Sequence, residues 1–153
     1  PNVTLNHLGI DPYGNIEYNP MEAHLNVRLD YTNDMKRDAL LDFTKDYPEF
    51  HLVCLEDTEF FYRYPNGYPV YDQYKIMLTK YDLVHFDGPH DLASVLNEIN
   101  FFHKRRAKEC IFVFDDVQSY PHDKVDVYLK HILQGYELIH SGNRKAVYLN
   151  KSN

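Results

Sequence analysis

The chain has 153 residues, enough for one domain with a sizeable core, because a chain of ~150 residues buries about two thirds of its unfolded surface. Its 44% hydrophobic content is too high for a disordered chain, and no apolar run approaches the ~20 residues a membrane helix needs. With 16 basic against 23 acidic residues the net charge is −7, which argues against a nucleic-acid binder with a basic face, though not against an anionic cofactor held by backbone amides.

In chain order, four short apolar runs alternate with helical patterns. His7-Leu8-Gly9-Ile10 is followed by Asp11-Pro12-Tyr13-Gly14, a strong turn signal. Residues 12–33, rich in Tyr, Asn and Pro, predict an inserted loop or short strand, with alternation over His24-Leu25-Asn26-Val27-Arg28-Leu29. Asp34 is placed to cap a helix carrying Met35, Ala39, Leu40 and Phe43. His51 to Leu55 is the second run, and Tyr62 to Tyr68, with Pro65, Asn66 and Gly67, predicts a loop. Tyr71, Tyr74, Met77 and Leu78 predict a further helix before the third run, Leu83 to Phe86. Leu92, Val95, Leu96, Ile99 and Phe102 form an amphipathic stripe over three turns. Cys110 to Phe114 is the fourth run. Val125, Leu129, Ile132 and Leu133 predict a last helix, closed by Gly135. The chain ends in a hairpin, Tyr136–His140 and Lys145–Leu149 around Ser141-Gly142-Asn143-Arg144.

Strands this short and apolar suit a parallel sheet covered on both faces. The expected fold is therefore α/β, one Rossmann-like three-layer domain over residues 1–153, with a mostly parallel sheet and a C-terminal antiparallel hairpin. Cys54 and Cys110, both inside apolar runs, read as buried strand thiols, and with them a reducing, cytoplasmic compartment is expected. The triplets Asn2-Val3-Thr4 and Asn150-Lys151-Ser152 match the glycosylation pattern, but nothing else points to secretion.

Each apolar run is followed by an acid: Asp11, Glu56, Asp87 and Asp115. Ligands of open parallel sheets bind at the carboxyl ends of strands, so these acids mark the expected site. Asp and Glu also favour strand-terminal turns for local reasons, which explains any one of them. The strand leading to Asp11, the stretch Glu56-Asp57-Thr58, the segment from Tyr81 to His90 and the strand leading to Asp115-Asp116, followed by the hairpin, together carry a resemblance over about residues 7–150. In that order they resemble a class I S-adenosylmethionine-dependent methyltransferase, and within it the small-molecule and sugar O-methyltransferases.

The resemblance implies roles. Asp11 would accept hydrogen bonds from the cofactor ribose hydroxyls, which suits a bidentate carboxylate. Asp57, with Glu56 and Thr58, would contact the adenine. Asp87, Asp115 and Asp116 would hold a divalent ion such as Mg²⁺, which favours hard oxygen ligands. Such an ion would acidify a substrate hydroxyl. His90, three residues after Asp87, stands where related enzymes place a general base, so His90 and Asp87 are the implied catalytic pair. The implied partner is a small hydroxylated acceptor or sugar, with neither nucleic acid nor membrane involved. Asp and His here also have ordinary readings, as loop-orienting carboxylates and a helix-start imidazole.

The sequence departs from the family in one place. The Gly-rich loop after a first strand is absent: the six glycines are 9, 14, 67, 88, 135 and 142, with no Gly-x-Gly. The chain is therefore expected to be the later part of a larger domain, N-terminally incomplete, with an open sheet edge that an upstream strand or a second copy would pair.

Three rival readings stand beside this one. His85, Asp87 and His140 imitate the two-His-one-carboxylate triad of an Fe(II)/2-oxoglutarate dioxygenase, with Arg144 near. Val113-Phe114-Asp115-Asp116 resembles the acidic strand end of a phosphate-receiver domain, though that pair belongs at such a domain's start. A methyltransferase-like domain without its loop would serve as a non-catalytic interaction scaffold, for which the aromatic residues Tyr13, Tyr18, Tyr31, Tyr62, Tyr64 and Tyr68 would provide contacts. Lys104-Arg105-Arg106 and Lys108 form the basic cluster, placed favourably at a helix C-terminus.

Overall fold

Alternating apolar runs and amphipathic stretches produce short strands joined through helices, and the architecture follows that alternation. The structure, a computed structural model, describes residues 5–13, 16–18, 28–30, 32–71, 73–88 and 90–151. They form a mixed α/β protein with several small sheets and four α-helices among the described residues. The chain divides into two compact units, Pro1–Pro65 and Asn66–Asn153.

In the first unit β1 (His7–Ile10) runs parallel to β4 (Phe50–Val53), pairing His7 with Phe50 through Ile10 with Val53. A parallel pair needs a crossover, and here it contains β2 (Ile16–Tyr18), β3 (Arg28–Asp30) and α1 (Asn33–Asp46). β2 and β3 pair antiparallel, so the Tyr/Asn-rich insertion does contain short strands; His24–Val27, Gly14 and Tyr31 lie outside the described residues. The cap of α1 is Thr32 rather than the expected Asp34: the Thr32 hydroxyl accepts from Met35 N at 3.2 Å and its carbonyl from Lys36 N at 3.0 Å. Asp34 instead pairs with Arg37. After β4 comes α2 (Asp57–Arg63), a helix absent from the expected elements, anchored by the fully buried Phe60. Tyr62 was expected in a loop but stands on α2, 85% exposed. Cys54 falls just beyond β4 and is exposed, correcting the expected buried thiol, because the strand ends one residue earlier than its apolar run.

The second unit opens with a hairpin, β5 (Tyr68–Tyr71) and β6 (Lys75–Leu78), where a helix was expected. The apparent helical spacing of Tyr71, Tyr74, Met77 and Leu78 spans two strands, and β-prone Val70 and Ile76 lie opposite one another. Gly67 enters the hairpin at φ +113, where a Cβ would stand 2.7 Å from the Leu78 carbonyl oxygen. Next come β7 (Tyr81–Phe86), α3 (Leu92–His103), β8 (Arg106–Phe114), α4 (His122–Val127) continued by a π-helical segment (Tyr128–Leu133), β9 (Tyr136–Ser141) and β10 (Ala146–Lys151). The sheet order is β7-β8-β10-β9, with β8 parallel to β7 and the final hairpin antiparallel to it. The hairpin forms as expected, but the sheet is not mostly parallel: two of the six strand pairings among the described residues are parallel, β1 with β4 and β7 with β8.

Side-chain alternation sorts this sheet into two faces. Val84, Phe86, Cys110, Phe112, Phe114, Ala146, Tyr148 and Tyr136 are buried beneath α3 and α4. Phe102 of α3 meets Phe86 edge-on at 6.0 Å, and His122 of α4 meets Phe114 at 5.4 Å. Phe86 and Phe114, opposite one another in register, stack at 4.6 Å. On the other face Leu83 is 57% exposed, and Ile111, Val113, Val147 and Leu149 are half-buried. Asp91 caps α3 through Ser94 N at 3.0 Å. Glycine at position 135 has φ +80, as its expected role at the helix end requires. Burial pushes the Cys110 thiol up to about 11, so this cysteine is the inert buried thiol that was expected.

Truncating the stacked core differs predictably from truncating the open face. Phe114→Ala should cost about 3–5 kcal/mol of unfolding free energy in urea titration. Leu83→Ala should cost less than about 1 kcal/mol, and equal losses at both sites would contradict this assignment of faces.

Candidate functional site

The carboxyl ends of β7 and β8 are held level by a backbone bond, Asp115 N donating to Phe86 O at 3.0 Å. The chain then turns sharply: Asp116 adopts φ +45, its N–H donates to Asp115 Oδ1 at 2.9 Å, and Ser119 N donates to its carbonyl at 2.7 Å. Asp tolerates this left-handed backbone better than most residues. The β9–β10 turn supplies two cations. Lys145 Nζ bonds Asp115 Oδ2, while Arg144 places Nη2 and Nε at 2.6 and 3.0 Å from Asp116 Oδ1. Two histidines also stand near the same pair. His85 Nε2 lies 3.8 Å from Asp115 Oδ2, and His90 Nε2 lies 3.9 Å from Asp116 Oδ2.

The Lys145 hydrogen bond, helped by the Asp116 amide, holds the Asp115 carboxyl below the usual carboxylate range. His90 lies roughly parallel to the Tyr120 ring, centroids 6.3 Å apart. Burial raises the Tyr120 phenol, with Glu98, Asp115 and Asp116 adding to the shift, so Tyr120 is a neutral hydroxyl here. Glu98 is buried on α3 beside Gly88, where a Cβ would come within 3.0 Å of its Oε1. The glycine after Asp87 therefore makes room for a buried carboxylate.

The structure thus brings Asp115, Asp116 and His90 together in the second unit, with His85, Tyr120, Arg144 and Lys145 around them. Asp87 follows β7 directly and is exposed; its charge acts on Arg144. The donor set does not fit the expected Mg²⁺ site. The Asp115 and Asp116 carboxylates are already matched by Lys145 and Arg144, and no cluster of three metal-ligating side chains occurs among the described residues. The dioxygenase triad fails on register. His85, Val113, Val147 and His140 form one row across β7, β8, β10 and β9. Three strand spacings, about 14 Å, separate the two histidines, too far to share an ion.

In the first unit, Asp11 follows β1, and its N–H extends the ladder to Val53 O at 3.1 Å. Asp57 begins α2, and its Oδ2 is buried with no hydrogen-bond partner among the described residues. Glu56 and Thr58 beside it are exposed. The Tyr13 phenol is raised by burial and then by Asp11 and Cys54, so it lies within electrostatic reach of both.

Sequence reasoning missed Glu98, Tyr120 and Lys145 as neighbours of the site. Glu98 had a signal: it lies three residues after Val95 and four before Phe102, within the apolar stripe of α3. It also missed a buried polar cluster. Tyr148 donates its hydroxyl proton to Asp126 at 2.8 Å and therefore accepts from His122 Nε2 at 3.2 Å. This assigns the Nε2–H tautomer and leaves His122 Nδ1 buried without a partner among the described residues. Among the described residues no helix is long and apolar enough to cross a membrane. Comparison of the chain with protein-family models, curated proteins and solved structures gives no match.

Burial lowers the His122 pKa despite the opposing charges of Asp126 and Asp123; His103 is lowered by burial and then by Arg106 and Lys104. Both histidines take up protons more readily unfolded than folded. Stability should therefore fall as pH drops below the unfolded-state value of about 6.5, the loss being complete below the depressed folded values. Asp115 acts separately: its contribution is present above about pH 4 and disappears as pH falls through its depressed folded value. Thermal melts between neutral pH and pH 5 should show this slope, and His122→Asn should flatten it. An unchanged slope in that variant would assign the pH dependence elsewhere.

Proposed function

We propose that the chain is a class I methyltransferase-like domain that binds S-adenosylmethionine and serves O-methylation of a small hydroxylated acceptor such as a sugar. The observation that carries the reading is the buried Oδ2 of Asp57, an acceptor without a donor among the described residues, in a unit whose parallel strands β1 and β4 lead into Asp11 and Asp57. A buried carboxylate oxygen of this kind costs free energy until a donor reaches it. A nucleoside amino group supplies one, and Asp11 would accept from adjacent ribose hydroxyls. When bound, S-adenosylmethionine supplies an electrophilic methyl group on a sulfonium centre.

In the second unit a parallel pair continued by an antiparallel C-terminal hairpin agrees with the closing part of that fold, as does the loop with its Asp-Gly and the Asp pair after β8. The fold proposed for this domain is a Rossmann-like three-layer sandwich. There His90 is the candidate base for the acceptor hydroxyl. Asp116 beside it stabilises the imidazolium that forms when the proton is taken up, while Arg144 and Lys145 keep the Asp pair from becoming an isolated double negative charge. No step is assigned to Mg²⁺, since the carboxylates are matched by cations.

Calorimetric titration of the full chain with S-adenosylhomocysteine should give saturable binding, weakened about tenfold or more in Asp57→Ala, in keeping with a charge-assisted hydrogen bond. Absence of binding by a folded chain would leave only the interaction-scaffold reading. In a methyl-transfer assay over hydroxylated acceptors, His90→Gln should lower kcat by about 10²-fold or more, and chelator should leave the rate unchanged. Loss of activity on chelation would overturn the metal-free site.

A further inference from the structure

At the opposite, amino-terminal ends of β7 and β8 lies an open concavity of about 500 Å³ lined by Lys80, Arg106, Ala107 and Lys108. Backbone pairing builds it. Lys80 directly precedes Tyr81, Tyr81 is the register partner of Arg106, and Tyr81 N donates to Arg105 O at 2.9 Å. Three cations are thus gathered where two parallel strands begin. The basic cluster seen in the sequence, residues 104–108, is joined there by a lysine that sequence distance had hidden.

The central cation is built in. Arg106 Nε donates to Asn150 Oδ1 at 2.9 Å and Nη1 to the His103 carbonyl at 2.6 Å. Asn150 is 1% exposed and is itself anchored to Gly135 O at 3.1 Å. Both acceptors are neutral, so they fix the guanidinium without cancelling its charge. Among the described residues Lys80, Arg106 and Lys108 form no ion pair, in contrast to Arg144 and Lys145 at the other end of the sheet. The adjacent acids Asp82 and Glu109 are exposed and do not line the concavity. His103 records the local field, since Arg106 and Lys104 both disfavour its protonation. Three like charges on one surface repel one another, and a multiply charged anion relieves that repulsion.

We propose that this concavity is a binding site for a small ligand carrying a di- or triphosphate group, separate from the Asp115–Asp116 cluster. A positioned guanidinium flanked by two exposed ammonium groups matches the oxygens of a polyphosphate. The concavity is open, and its walls are the side chains of Lys80, Arg106 and Lys108 with the Ala107 methyl. The three cationic head groups are what would read the ligand's charged group.

Titration of the full chain with inorganic pyrophosphate, followed calorimetrically and by amide chemical shifts, should show one saturable site with shifts at residues 80 and 106–108. The double variant Lys80→Gln/Lys108→Gln removes two exposed charges. It should weaken pyrophosphate binding about tenfold or more, leave the melting temperature unchanged, and leave S-adenosylhomocysteine binding as it was. Citrate, a polycarboxylate of similar charge, should bind markedly less well, and a short single-stranded RNA should bind no more tightly than pyrophosphate. The proposal is overturned if pyrophosphate does not saturate a site, if the double variant binds it unchanged, if citrate binds equally well, or if only the RNA binds.

Discussion

Everything at the acidic end of the second unit depends on the parallel pairing of β7 with β8 and the ring stack that closes it. Phe86 and Phe114 stand opposite in register and stack at 4.6 Å, and one residue later Asp115 N is bonded to Phe86 O. That places Asp87 and Asp115 at neighbouring strand ends. The parallel pairing requires a crossover, which α3 provides, and α3 then covers the same rings through Phe102. The aromatic packing and the position of the carboxylates thus have one cause: the helix that makes the parallel pair possible also forms the wall of its core.

The same sheet separates charge. Acids follow the carboxyl ends of β7 and β8, whereas Lys80 and the 104–108 cluster sit at their amino ends. The two poles are handled differently. At the acidic pole the final hairpin reaches back with Arg144 and Lys145 and matches the carboxylates in pairs. At the basic pole the restraints on Arg106 come from neutral groups, Asn150 and a backbone carbonyl, and its charge remains for other use. An overall charge of −7 conceals this contrast, because it averages carboxylates paired with cations and cations that form no ion pair among the described residues.

Much of the scaffold was legible in the sequence. The strand His7–Ile10, the stripe of α3 and the closing hairpin appear where periodicity and turn chemistry put them. The failures share a cause: local spacing is ambiguous over short windows. Tyr71 to Leu78 satisfied a helical period by chance across two strands of a hairpin. Asp34 looked like a cap, but Thr32 two residues earlier makes the bonds. Cys54 lay in an apolar run, yet the strand stops at Val53 and the thiol faces water.

For the candidate site, sequence alone determined which acids follow the strands, because strand ends and acidic turns are written locally. It also determined that a His stands close after Asp87 and that a basic cluster follows α3. Only the tertiary structure decided what those charges meet. Lys145 reaches Asp115 and Arg144 reaches Asp116 across ~30 residues, because β10 inserts beside β8 rather than at the sheet edge. His85 and His140 are kept on opposite edges of the same sheet by that insertion. Pairing of strands distant in sequence is a long-range event, and ion pairing and metal-site geometry follow from it rather than from spacing along the chain.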